Sequence, residues 1–381
     1  MKMLDAGVIR SNDQRDPVAA GGIRPCGVDD IPAVARLFQT TFQQGRKAGG
    51  QSLELHLRRE LFEHPWQDPR LPSLVFEGAD GAVAGFIAVR PHRLLLDGEP
   101  VLAAVGGTLM VDKSVSNPLM GARLLRSYLN GPQDLSFSET ANEISRSMWD
   151  RLGGRTEPAY SMEWLRILRP AAMAVDVLAT KSRAATAVAP LARLFDRGAA
   201  RLRANPLPVD PSRDRGEEVG ESDFVDAVLP LSATYPLRPD WNRESLSWFV
   251  GQASEKERFG PPVRRIVRDR KGRPVGAYLY CVQPGAIAFV LDIFAAPKAA
   301  EEVVDDLIAD AWRRGAIAVR GRVQPELADL LLRRKAVFVH ASSMVVHTRR
   351  AELLAAIHSG DALITGLAGE TWSALIGGLF S

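Results

Sequence analysis

The stretch VDKSVSNPLMGARLL, Val111 to Leu125, joins an apolar strand-like run, VLAAVGGTLMV, to a helical pattern, GARLLRSYL. A strand–turn–helix junction of this kind aims the N–H groups of the first helical turn, and the positive end of the helix dipole, at an anion. The chemistry it suggests is phosphate binding. Yet the turn holds one glycine, Gly121, where phosphate cradles usually hold several. Pro118 has no N–H to give, and Leu119 puts a side chain where the backbone would have to approach. The stretch reads either as a worn cradle or as an ordinary helix cap. Two carboxylates stand out elsewhere. Glu139, with Ser138 beside it, lies near the end of the strand-like DLSFSETAN. Asp292 interrupts the apolar FVLDIF and, in a buried strand, needs a partner such as Arg320 or Arg322. His92 follows a proline at an expected strand end and reads as a site-lining or a surface residue. Cys26 and Cys281 lie far apart with no C-x-x-C or C-x-x-H context, so they read as buried thiols, and no metal site is expected.

These residues need elements to position them. A chain of 381 residues, 46% hydrophobic and 24% charged, is long enough for two domains with cores of their own. Its 48 basic and 45 acidic residues leave a net charge of +3, so no bulk field marks nucleic acid as a partner. The N-terminus lacks a signal-peptide core, and no run approaches the roughly 20 apolar residues of a membrane span, so a cytoplasmic protein is expected. Residues 1–20 read as a loose tail. IRPCGVDDIPAVARLFQTTF then predicts a strand and a helix, with Asp29 and Asp30 as caps, Pro32 in the first turn, and Ile31, Val34, Phe38 and Phe42 on one face. A second helix is expected over Leu53 to Phe62. Three apolar runs separated by ADG and DGEP predict an antiparallel meander. After the junction come the strand DLSFSETAN, the helix EISRSMWDRLGG with glycine at its C-terminal end, and the apolar run SMEWLRILRP, which is expected to complete the unit.

The second half follows the same plan. GESDFVDAVLPLSATY predicts a helix, VRRIVRDRKGRPVGAYLYCV a hairpin with a KGR turn, and AIAFVLDIFAAP a strand. The helix AAEEVVDDLIADAWRRG, the strand AIAVRGRV, the helix opening PELADLLLRRKAVF and the strand FVHASSMVVH follow. The fold class implied is mixed α/β in two copies of one unit, at 21–170 and 216–381 with a C-terminal tail. Between them, 171–215 reads as a linker. Its segment TAVAPLARLFDRGAARLRANP predicts a basic amphipathic helix, either packed between the domains or lying on a membrane surface.

The first unit resembles the GNAT superfamily of acyl-CoA-dependent N-acyltransferases. The signature R/Q-x-x-G-x-G/A, aligned on Val111 and Leu124-Leu125, falls on Ser116, Asn117, Pro118, Leu119, Met120 and Gly121, and only its last glycine is kept. The downstream pattern N-x-x-x-x-x-L-Y-E-K-L-G-F matches NEISRSMWDRLGG without gaps, placing Asn142 on the cofactor-contacting asparagine and Gly153 on the glycine. The second unit shares strand order and only a faint echo of these motifs. The resemblance implies two GNAT-like units, each a mostly antiparallel mixed sheet with flanking helices. It implies acetyl-CoA or another acyl-CoA as co-substrate, contacted by Leu109, Val111, Ser116, Leu119, Met120, Gly121 and Asn142, and a small-molecule or peptide amine as acceptor.

The family's tyrosine acid falls on Trp149, whose indole N–H is no proton source near neutral pH. Tyr160 is then the candidate acid and Glu139 the candidate base. The first domain would hold acyl-CoA and the second would shape the acceptor site. The alternative is a catalytically silent tandem protein that binds a metabolite or another protein. Nothing in the pattern sets an oligomeric state.

Overall fold

The computed structural model describes residues 21–42, 50–112, 114, 119–179 and 208–376. The N-terminal tail, the expected basic linker helix, Ser116 and Pro118 lie outside the described residues. The first half runs β1 (Gly22–Pro25), α1 (Ile31–Phe42), α2 (Gly50–Phe62), β2 (Leu74–Glu77), β3 (Val83–Leu96), β4 (Glu99–Val111), α3 (Met120–Leu129) and β5 (Leu135–Ala141). It continues with α4 (Glu143–Arg151), β6 (Arg155–Thr156), β7 (Met162–Ile167) and α5 (Pro170–Ala179). The second half runs β8 (Glu217–Glu218), α6 (Glu221–Ser232), β9 (Leu237–Pro239), α7 (Arg243–Ser254), β10 (Pro262–Arg268), β11 (Pro274–Cys281), β12 (Ile287–Ala295) and α8 (Ala300–Arg313). β13 (Ala318–Arg322), α9 (Ala328–Arg333), β14 (Val337–His340), β15 (Ser343–Thr348) and α10 (Ala351–His358) complete it. No described helix is long and apolar enough to cross a membrane.

The expected meander is β2–β3–β4, paired antiparallel throughout. Two mixed sheets result, of order β1-β2-β3-β4-β5-β15-β6, with β9 on β3, and β14-β7-β13-β12-β11-β10-β8. In each, one pair is parallel: β4 with β5, and β12 with β13. Each pair is joined by a crossover helix, α3 or α8, as parallel strands require.

The sheets trade strands. SMEWLRILRP does not complete the first sheet: β7 lies between β13 and β14 of the second. FVHASSMVVH is two strands in two sheets. Its first part, β14, pairs with β7, and its second, β15, enters the first sheet between β5 and β6. Only Ala341 and Ser342 separate them, so the chain passes from one sheet to the other within two residues.

Helices cover both faces of each sheet. Ile31, Val34 and Phe38 of α1 pack with Leu53 and Leu57 of α2 against Phe86 and Ala88, while Leu124 and Leu125 of α3 and Trp149 of α4 pack on Ile87 and Val89 of the opposite face. On the second sheet α8 buries Val303 and Leu307, and α6 and α7 bury Phe224 and Phe249 in a cluster that also takes in Trp66 and Trp372. Helix α7 went unread in NRESLSWFVGQAS. Its start carries a capping box, Asn242 and Ser245 each bonding the other's backbone N–H. Cys26 and Cys281 are buried free thiols, as expected.

Candidate active site

The pair β4–β5 is hydrogen-bonded only from Ala103↔Leu135 to Val105↔Phe137. β4 then continues to Val111 and β5 to Ala141 without pairing to each other. Parallel strands that part at their carboxyl ends leave the crevice in which α/β sheets bind ligands. A cavity of about 240 Å³ occupies it. Phe38 and Phe42 of α1 and Leu375 of the C-terminal segment line it from one layer, and Leu125 of α3 and Trp149 of α4 from the other. The cavity therefore passes through the sheet.

β4 is deformed at this passage. Ala88 faces Gly107 and Phe86 faces Met110, so Ile87 alone opposes both Thr108 and Leu109. The bulge puts Thr108 at φ +52°, a backbone region that a β-branched residue seldom enters and that tends to mark working sites. Its Oγ1 is buried without a hydrogen-bond partner. The two preceding glycines are steric necessities. A β-carbon on Gly106 would strike the Tyr128 ring, and one on Gly107 would strike Glu370 Oε2.

The C-terminal segment is clamped beside the passage by carboxylates. Glu370 Oε1 accepts hydrogen bonds from Ser138 Oγ, the Glu139 and Thr140 amides and Thr140 Oγ1, at 2.8–2.9 Å. Glu139 reciprocates, accepting from the amides of Gly366, Glu370 and Thr371. Arg322 Nε lies 3.7 Å from Glu139 Oε1. Burial nevertheless pushes the Glu139 carboxyl above its ordinary pKa. Under this layer Arg90 donates two bonds to Glu60. Burial alone would raise the Glu60 pKa, but Arg90, His56 and Ser373 outweigh it and hold the group at about 2. Lys256 Nζ donates to the carbonyls of Thr371, Ser373 and Ile376 at 2.6–2.8 Å, fixing the end of the segment that reaches the cavity.

Of the residues singled out in sequence, Leu109, Ser138, Asn142 and Trp149 line the cavity. Asn142 also caps α4, accepting from the Ser145 amide at 2.9 Å. Leu119 and Met120 begin α3 with no side-chain cap. Leu119 is 66% exposed, while the Met120 side chain is fully buried, leaving only its backbone for a ligand. Gly121 is not demanded by packing, since a β-carbon there would make ordinary contacts with Val111 and Met148.

Glu139 and Tyr160 do not line the cavity. Glu139 is committed to the C-terminal segment. Tyr160 is buried with its hydroxyl donating to the Ala362 carbonyl at 3.0 Å, and burial raises its pKa. His92 is not at a strand end but inside β3, packed against Trp66, Phe137 and Phe249, and burial lowers its pKa to about 4. Asp292 takes the amides of Ile293 and Leu367 in place of an arginine. Arg320 lies over Phe259 and Phe289. Thr108 and Glu370 went unread. The paired glycines of VLAAVGGTLMV were the available signal for the bulge, because glycine inside a strand marks a bulge or a close approach; nothing local marks Glu370.

No protein-family model and no curated protein matches the sequence. Solved structures match its fold. A probable N-acyltransferase from Enterococcus faecalis V583 superposes over 87% of this chain and 72% of its own, with a TM-score of 0.56 at 11% identity. GCN5-related N-acetyltransferases from Kribbella flavida (TM-score 0.54, 13% identity, 87% of this chain and 72% of that one) and Anabaena variabilis ATCC 29413 (0.58, 12%, 87% and 73%) match similarly. The chain has the GCN5-related N-acetyltransferase fold, built as two mixed-sheet units.

Proposed function

We propose that the protein is an acyltransferase that moves an acyl group from acyl-CoA to an amine. The observation that carries this reading is the passage between β4 and β5, open to both faces of the sheet and bordered by a strained bulge. Such a passage lets a thioester enter from one layer and a nucleophile from the other, held in one geometry, which is the main requirement of acyl transfer. The co-substrate supplies an activated carbonyl. Its extended arm suits the cavity beside Leu109, Thr108 and Asn142, and its phosphates suit the start of α3 at Leu119, Met120 and Gly121. Val111 supports Gly121 from β4. Ser116 is the remaining residue assigned to this co-substrate. Glu139 and Tyr160 keep structural roles in this proposal. The second half contributes through its C-terminal segment, which brings Leu375 and Ile376 to the acceptor side.

The test is calorimetry and thermal shift with a panel of acyl-CoAs, since a ligand bound only to the native state raises its stability. Saturable binding, with a melting temperature that climbs with ligand concentration, is expected. No binding by folded protein would leave the silent, non-catalytic reading in its place.

A further inference from the structure

We infer that a second cavity, between β7, α8 and the segment 208–213, binds a small amino acid by its carboxylate; this stands apart from the acyltransferase reading. The cavity measures about 210 Å³ and shares no lining residue with the passage. Its buried wall includes Arg166. This residue pairs with Val319 of β13 from the exchanged strand β7, on the face that α8 covers, and is 4% exposed. Its Nη1 donates to the Ile167 carbonyl at 2.5 Å and its Nη2 to the Pro208 carbonyl at 3.2 Å, while Nε has no acceptor. Among the described residues no carboxylate pairs with it, and burial lowers its pKa with no acidic neighbour to offset the shift. A buried charge facing only neutral carbonyls is costly. Such a group is ordinarily paired, and here the cavity is where its anion can sit.

The other described cations of this cavity already have counter-ions. Arg213 pairs with Asp305 and Asp210, and Arg334 with Asp305 and Glu301. Asp210, Arg213 and Glu301 are exposed and form the mouth. Away from Arg166, then, three carboxylates stand against two guanidinium groups. A ligand with a negative end inward and a positive end outward matches this separation of charge. A dianion such as phosphate would instead set a second negative charge beside those carboxylates. A carboxylate also suits the planar donor fork of a guanidinium. Val209 and Ile308 supply an apolar wall for a hydrocarbon side chain. The volume of about 210 Å³ exceeds the roughly 150 Å³ in which an apolar cavity takes up benzene, so a small amino acid has room.

The test is calorimetry on the full chain with L-leucine, with 4-methylpentanoate, which lacks the ammonium, and with isoamylamine, which lacks the carboxylate. Leucine is expected to bind saturably, 4-methylpentanoate several-fold more weakly because the mouth is exposed, and isoamylamine at least about tenfold more weakly. Arg166→Met is expected to lose at least about tenfold in leucine affinity and to melt close to the parent, since an apolar side chain replaces a buried unpaired charge. Should that variant fail to fold, Arg166→Lys keeps the charge without the fork and is expected to fall between the two. Isoamylamine binding as tightly as leucine, or unchanged leucine affinity in a folded Arg166 variant, would overturn the inference. So would the absence of saturable leucine binding at millimolar concentration. Binding of 4-methylpentanoate as tight as that of leucine would overturn the amino acid as ligand class. Whether acyl-CoA binds changes none of these outcomes.

Discussion

The two parallel strand pairs are one device in two states. β4–β5 loses its pairing after Val105↔Phe137 and β12–β13 after Val290↔Gly321, and each leading strand bulges just beyond, at Thr108–Leu109 and at Leu291. In the first unit the gap is a cavity. In the second it is sealed by Gln324, whose side-chain oxygen accepts from the Ile293 amide and whose nitrogen donates to the Ile293 carbonyl, at 3.1 and 2.8 Å. One amide side chain there replaces the missing strand. The same splayed architecture thus makes a ligand passage or a closed core, depending on whether one side chain satisfies the orphaned backbone from within.

Cutting the comparison in half should have the largest effect. Residues 1–170 expressed alone lack β15, which supplies the pairing between β5 and β6, and carry β7 with no partner sheet. The expected product shows no cooperative melt by calorimetry; a soluble fragment with a sharp transition would mean the strand exchange is dispensable. Next is Glu370→Ala, which leaves the amides of Glu139 and Thr140 without their carboxylate. A loss of about 3–5 kcal/mol in denaturant unfolding is expected, the range for stripping one partner from a buried charged group.

The support beneath the open passage is an ion pair between Arg90 and Glu60, so this passage should feel acid. Glu60 titrates at about 2 in the folded protein against 4.5 for the free side chain. Because its folded pKa is depressed, its contribution is present above pH 4.5 and is lost as pH falls toward 2. The contribution is on the order of 3 kcal/mol. Urea titrations across that window should show the slope in the parent and a flatter profile in Glu60→Gln. Gln324→Leu keeps bulk but removes the donor to the Ile293 carbonyl and leaves the Ile293 amide to Asp292 Oδ1, and about 1–3 kcal/mol of destabilisation is expected. No loss would mean that water or a neighbour seals the second gap equally well. Asn142→Ala should have the smallest effect. It removes the cap of α4 at about 1 kcal/mol, and, if Asn142 also holds the co-substrate, acyl-CoA affinity should fall by a similar increment.

What was readable in the sequence was local. The helix of Ile31–Phe42 and its neighbours, the meander and the KGR hairpin follow from periodicity and turn residues acting over a few positions, and the order of elements sufficed for the fold. The strand exchange was not readable, because β7 and β15 carry the same apolar pattern whichever sheet receives them. The candidate site divides the same way. Leu109 and Asn142 sit in patterned segments and line the cavity, while the partners of Glu139, the amides of 366–371, lie more than two hundred residues away and leave no mark on its local sequence. Glu370 and Gln324 act through long-range contacts that composition and spacing cannot encode.

The exchanged strands also set a timetable for synthesis. When β5 and β6 leave the ribosome, the strand that belongs between them, β15, is still roughly 200 residues from being made. A nascent first unit therefore waits with two strand edges unpaired, the state most prone to pairing with another chain. Meanwhile β7 has emerged with its own partners, β13 and β14, not yet translated. Both sheets can close only once β14 and β15 arrive together across the two-residue link of Ala341 and Ser342. A chaperone that shields extended segments during elongation would have its longest task on this protein between β5 and β15.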